Sequence, residues 1–422
     1  MTGQMSIYNR NSVQVLFSSW MAVFALFGVR ATFAVLKDPI AAASGWSQTQ
    51  VSFGYSLMML SYALTAFVSG YLLDRYGPKI VYGIAAVFGF FGLLLTALLE
   101  GYAAYVVFFG IVTGIATGML WVAATVTVRT WFTGNTYARS WGLAFCGAPI
   151  SQFALAFLMR HLLARGTWNT AMIFLAGIVG AALAAAWFFS KHAPEHYGIA
   201  AAGSQYALSP SSGEGDWGVK QAFTAMTIWV VILLFLTSMM GEFLIWTQIV
   251  SFWTEDLAWS RDAAVSAYSV IGITGIIAMP LAGRISDSLV RTMGSELHAR
   301  KIMLAAGPLI GAAACGGLLL SGHAAAPSYA AAVLFAVYWA IVPGGVVGYA
   351  GAYFGKKSLG KIWGIATMIV MGIGPFTGTY VGAYLRDVSG SYYWSIVFAL
   401  GAFLVSCVSA MLLPKRPSVR KH

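Results

Sequence analysis

The chain has 422 residues, of which 59% are hydrophobic and only 9% charged, and its mean hydropathy is +0.78. About a quarter of a typical soluble domain is charged, so a soluble fold of this size could not cover its surface, and the composition specifies a polytopic membrane protein. The net charge of +11 reflects the Lys/Arg enrichment of cytoplasmic loops and not a nucleic-acid partner.

Apolar runs of about 20 residues cross a bilayer. They predict twelve spans, at 13–36, 49–72, 80–99, 103–128, 141–163, 168–190, 224–250, 262–285, 301–321, 328–353, 362–385 and 392–413. The first is too long for a signal h-region, has only Arg10 before it and lacks an A-x-A site, so it reads as a retained span. One long polar break, 191–223, holds Lys191, Glu195, Ser204, Pro210, Ser211, Ser212, Glu214 and Asp216. The expected organisation is a six-helix bundle at 1–190, a cytoplasmic linker at 191–223 and a second bundle at 224–422 ending in a short basic tail. With both termini cytoplasmic, the opposite side holds Lys37, Arg160, Arg165, Arg261 and Arg386. Arg30 lies inside the first span, and the other 18 of the 24 Lys+Arg fall on the cytoplasmic side. Short loops and the absence of an N-x-[ST] sequon fit a bacterial inner membrane.

The two halves repeat. Gly45-Trp46-Ser47 recurs as Ala258-Trp259-Ser260, an offset of 213 that also takes Tyr55 to Tyr268, Gly70 to Gly283 and Asp74 to Asp287. Parallel repeats place a substrate path at their interface near mid-membrane. Between spans 2 and 3 the chain reads Gly70-Tyr71-Leu72-Leu73-Asp74-Arg75-Tyr76-Gly77-Pro78-Lys79. Gly70 permits close helix approach, Asp74 can sit against a helix N-terminus, and Gly77-Pro78 makes a tight turn. A shorter copy, Gly283-Arg284-Ile285-Ser286-Asp287, stands in the second half.

This G-x-x-x-D-R-x-G-x-K pattern resembles the signature loop of the major facilitator superfamily. The resemblance implies an all-α membrane fold, two pseudo-symmetric six-helix bundles around a central cavity, and a cytoplasmic gate formed by Gly70, Asp74, Arg75, Gly77, Lys79, Gly283 and Asp287. Arg30 through Asp38, Trp46-Ser47, Arg129-Thr130-Trp131-Phe132 and Gly372-Ile373-Gly374-Pro375 are similar to the monocarboxylate and oxalate–formate porter branch. In that branch a lysine occupies the place of Arg30. The chain departs from the branch in lacking its charged pair in span 8, since Ile271 to Ala278 carry no charge. Its proton and carboxylate relay therefore does not carry over.

Charges are expensive inside a span, so those present have partners or work to do. Arg30 lies roughly 5–10 Å outward of the midplane, counting 1.5 Å per residue, and its fork suits a carboxylate. Snorkelling or a structural ion pair is the alternative reading. Glu242 is the carboxylate well inside span 7, and the repeat maps Arg30 to its neighbour Phe243. Pairing with Arg30, carrying a coupled proton, and binding a cationic group are all open to it. Thr113, Thr117 and Trp121 share a face of span 4, as do Ser238, Glu242 and Trp246 of span 7. Tyr55, Tyr62, Gln152, Tyr338, Trp339, Tyr349, Phe376 and Tyr380 complete the candidate lining, with packing or interfacial roles as the alternative for each aromatic.

No P-loop, HExxH or His/Cys cluster occurs, so neither an ATP-driven pump nor a metalloenzyme is expected, and no cofactor. The three cysteines sit in apolar runs as packing residues. The resulting expectation is a monomeric secondary transporter, not an enzyme, in contact with lipid. Its cargo would be a small organic anion, a monocarboxylate, with protons as the coupling ion. Efflux of a cationic or drug-like compound, and a non-transporting membrane sensor, stand as alternatives.

Overall fold

The computed structural model describes residues 8–203, 216–322 and 324–415. The linker residues Ser204, Pro210, Ser211, Ser212 and Glu214, together with His323 and the tail residues Arg416, Arg420, Lys421 and His422, lie outside the described residues.

Twelve helices among the described residues are long and apolar enough to cross a membrane. They are α1 (Arg10–Ser44), α2 (Gln50–Tyr76), α3 (Pro78–Leu98), α4 (Tyr102–Trp131), α5 (Gly134–Leu163), α6 (Trp168–Phe189), α7 (Met226–Asp256), α8 (Arg261–Met293), α9 (Glu296–Leu320), α10 (Ala325–Phe354), α11 (Leu359–Ser389) and α12 (Tyr393–Leu412). Each overlaps one predicted span. Several run past it: α1 continues through Lys37, Asp38 and Pro39, and α8 through Asp287 and Arg291. Hydropathy marks the dehydrated stretch alone, whereas a helix satisfies its own amides in lipid and water alike.

Short polar signals set the ends. Asn9 accepts the Ser12 amide at 2.8 Å to start α1. Ser47 and Gln50 form a reciprocal capping box at the start of α2. Gly77, at φ 78°, closes α2, and Pro78 opens α3 where a missing N–H costs nothing. The repeat extends to this level. Ser260, the counterpart of Ser47, accepts the Ala263 amide at 3.3 Å. Gly45 ends α1 at φ 69°, and its counterpart Ala258 adopts φ 56°. Ala258 is thus held where an L-residue is strained.

The chain divides into two compact units. One comprises Met1–Phe132, Leu143–Ala202 and Leu359–Met368; the other comprises Thr133–Gly142, Gly203–Ser358 and Ile369–His422. Within the first, α3 packs on α6, α2 on α4, and α1 on α5 and α6. Within the second, α9 packs on α10 and α12, α7 on α12, and α8 on α10. Glycines let backbones meet, as where Gly378 of α11 abuts the Met240 carbonyl of α7. Cys146, Cys315 and Cys407 are buried and form no disulfide among the described residues.

Candidate functional site

In the first unit, Arg30 of α1 is half-buried. Its guanidinium carbon lies 4.5 Å from the ring centroid of Tyr62 on α2 and 5.5 Å from that of Phe27, so two aromatic faces hold the cation. Its Nε and Nη2 are buried with no hydrogen-bond partner. Those two N–H groups share one edge of the guanidinium, the fork that grips a carboxylate through two parallel bonds. Phe27 extends the aromatic surface edge-on to Trp121 at 6.4 Å and to Phe145 at 5.7 Å. Tyr55 stacks on Phe33 at 4.4 Å, which stacks in turn on Phe109. Thr117 is buried and turns its hydroxyl back onto the Thr113 and Gly114 carbonyls at 3.0 and 3.1 Å, so that proton is committed to its own helix. Gln152 is half-buried on α5. Phe27, Phe33 and Phe145 escaped the sequence reading, although the three-residue spacing of Phe27, Arg30 and Phe33 places them on one helical stripe.

In the second unit, Glu242 of α7 is 5% exposed. The Tyr338 hydroxyl of α10 lies 3.0 Å from its Oε2 and 3.1 Å from the Ser238 carbonyl oxygen. Ser238 and Ser406 join their hydroxyls at 2.7 Å, and Ser406 donates to Leu234 O at 2.9 Å, which ties α7 to α12. Trp246, one turn on from Glu242, meets Tyr268, Phe335 and Trp339 edge-on at 5.4, 5.6 and 5.1 Å. Two further predicted lining residues lie on α10 and α11. Tyr349 is eleven residues past Tyr338, about 16 Å along α10, and donates to Pro414 O at 2.8 Å. Tyr380 is exposed on α11 and stacks on Phe376.

The two loop carboxylates occupy equivalent places. Asp74 accepts the Gly360 and Lys361 amides, each at 2.9 Å, the second and third residues of α11. Asp287 accepts the Ala138 and Arg139 amides at 3.0 and 2.9 Å, the second and third residues of the α-helical stretch Tyr137–Phe145 within α5. Those amides have no intrahelical acceptor, and they carry the positive end of the helix dipole. Gly70 abuts the Gly360 carbonyl and Gly283 the Ala138 carbonyl, so a Cβ at either site would overlap backbone. These contacts explain why the first turns of α11 and α5 group with the units they do. Of the motif cations, Arg75 donates to the Tyr71 hydroxyl at 2.8 Å and Lys79 sits 5.0 Å over Trp187.

The copies differ in charge. Asp287 also receives Arg300 at 2.9 Å, and Arg300, 1% exposed, reaches Glu296 at 3.5 Å and the Gly134 carbonyl at 2.7 Å. Arg300 was legible in the sequence as a loop-proximal cation alone. In the first unit, Gly77 packs against the ring of His192, whose carbonyl accepts from Trp131 Nε1 at 2.8 Å. Burial and the neighbouring His196, at 4.9 Å between ring centroids, hold the His192 imidazole below its ordinary value of 6.5.

Residues 19–378 match the family model described as Major Facilitator Superfamily. The chain is 24% identical over 444 residues to the "Probable galactarate/D-glucarate transporter GudP" of Bacillus subtilis, covering 95% of this chain and 92% of that protein. It is 22% identical over 401 residues to "Monocarboxylate transporter 13" of Rattus norvegicus, covering 93% and 86%. The structure of the proton:xylose symporter XylE superposes with a TM-score of 0.72 at 12% identity, over 96% of each chain, which is likeness of fold.

Proposed function

Because the chain belongs to the major facilitator superfamily, whose model covers residues 19–378, we propose that it is a secondary transporter of a small organic anion, a monocarboxylate, working by alternating access. The observation that carries this reading is the buried, unpartnered Nε/Nη2 edge of Arg30 laid on the Tyr62 ring. An arginine at this depth is costly unless an anion meets it, and a single fork matches a single carboxylate. The anionic sugar acids and monocarboxylates in the names of its relatives support an anionic cargo.

Glu242 is the coupling carboxylate in this reading, taking up a proton at mid-membrane depth. Asp74 and Asp287, with Gly70, Gly283, Arg75, Gly77 and Lys79, form the gate on the cytoplasmic side. The orientation places both termini in the cytoplasm of a cell inner membrane, following the distribution of Lys and Arg. The functional halves are the bundles 1–190 and 224–422, joined by the linker 191–223, in a monomer. Uptake of labelled monocarboxylates into proteoliposomes, with and without an inward proton gradient, tests the reading. Saturable, gradient-stimulated uptake supports it. Uptake of cationic compounds alone would transfer the cargo role to Glu242 and make Arg30 structural.

A further inference from the structure

We propose that Tyr338 is a hydroxyl rotor that lets Glu242 gain and lose its proton without moving a side chain. The inference rests on the reading that Glu242 carries the coupling proton, and it assigns to Tyr338 a positioning role that the reading lacks. The Tyr338 oxygen stands almost equidistant from two acceptors, Glu242 Oε2 at 3.0 Å and the Ser238 carbonyl at 3.1 Å, yet it has one proton to donate. When Glu242 is ionised, that proton points to the carboxylate. The Ser238 carbonyl keeps a place in the α7 ladder, since Ser238 and Glu242 are one helical turn apart. When Glu242 is protonated, its own O–H donates to the Tyr338 oxygen, and the Tyr338 proton swings to Ser238 O. The Tyr338 hydroxyl, Glu242 Oε2 and the Ser238 carbonyl each keep a partner in both states. The Glu242 proton exchanges with water, and the tyrosine stays neutral.

The surroundings favour rotation of the hydroxyl over movement of the ring. Tyr338 is fully buried and is clamped by Phe403 at 4.6 Å and Phe335 at 5.6 Å. Gly241, beside Glu242, packs against the same Phe403. The Ser238–Ser406–Leu234 chain fixes the α7 backbone that presents the carbonyl. Titratable groups near the pair include Cys315 on α9, close to the Tyr338 hydroxyl, and Tyr268 on α8, which lies against Trp246. The face from α12 brings Phe403 and Ser406, neither of which titrates.

Infrared difference spectroscopy of the purified protein between high and low pH reads this directly, without substrate. The protonated-carboxyl band missing from Glu242→Gln belongs to Glu242. In Tyr338→Phe, which keeps the ring packing, that band should shift, because the acid O–H has lost the Tyr338 oxygen as acceptor. In Ser238→Ala it should stay in place, because the partner there is a backbone carbonyl. An unmoved band in Tyr338→Phe, or no Glu242 band at any pH, would overturn the proposal. A shifted band together with normal carboxylate uptake by an Arg30→Gln variant would overturn the cargo assignment and leave the rotor standing.

Discussion

Replacing Asp287 and replacing Asp74 should have unequal consequences, although the sequence presents them as copies. Each carboxylate accepts two helix amides. Asp74 is partly accessible, so water can take over its bonds, and Asp74→Ala should cost about 1–2 kcal/mol, the range for a lost N-cap. Asp287→Ala also strands Arg300, which is 1% exposed. Breaking a buried pair costs about 3–5 kcal/mol. Arg300 keeps Glu296 at 3.5 Å and the Gly134 carbonyl, which puts the expected loss near the lower end, about 3 kcal/mol. The difference of about 1–2 kcal/mol is a factor of about 5–30 in the ratio of folded to unfolded protein. Equilibrium unfolding in mixed micelles, followed by tryptophan fluorescence, measures it. Equal losses for the two aspartates would refute the reasoning.

Ala258→Gly should raise stability by about 1 kcal/mol, because alanine is held at φ 56° where glycine is at ease; an unchanged unfolding midpoint would count against the strain. Gly70→Ala and Gly283→Ala should each loosen the aspartate–amide contact, as the new methyl overlaps the Gly360 or Ala138 carbonyl, and hydrogen exchange at those two helix starts should quicken. His192 is held below 6.5 by burial and by His196, so the folded state resists its protonation. Above that value the contact with Gly77 is intact, and as pH falls below it stability is lost, because the unfolded chain binds the proton more readily. An imidazole titration by NMR should give a midpoint under 6.5, and His192→Gln should flatten the acid limb of the stability profile.

The twelve crossings were legible because dehydrating a backbone demands long apolar helices, and no soluble alternative shares that signature. The 213-residue repeat carried further than motif spacing. It relates Gly45 to Ala258 and Ser47 to Ser260, but the left-handed backbone that Ala258 shares with Gly45 became visible only in the structure. Asp74 was readable as a helix-terminus ligand from its loop, but the helix it meets lies nearly 300 residues away and could not be named. Arg300 shows the same limit, since its partners Asp287, Glu296 and Gly134 come together only on folding. Spans apolar on every side reveal little about which face looks inward, so the candidate lining was chosen by residue type and spacing along each helix.

Uptake by Arg30→Gln beside wild type is the most direct test of the central claim. Labelled monocarboxylates are supplied to proteoliposomes holding equal amounts of folded protein, with Arg30→Lys as the charge-preserving control. Removing one half of a charge-assisted fork should lower carboxylate uptake at least about tenfold, corresponding to the 1.5–3 kcal/mol of a hydrogen bond to a charged group, with Arg30→Lys falling between. Undiminished uptake by Arg30→Gln would contradict the claim that this guanidinium holds the cargo.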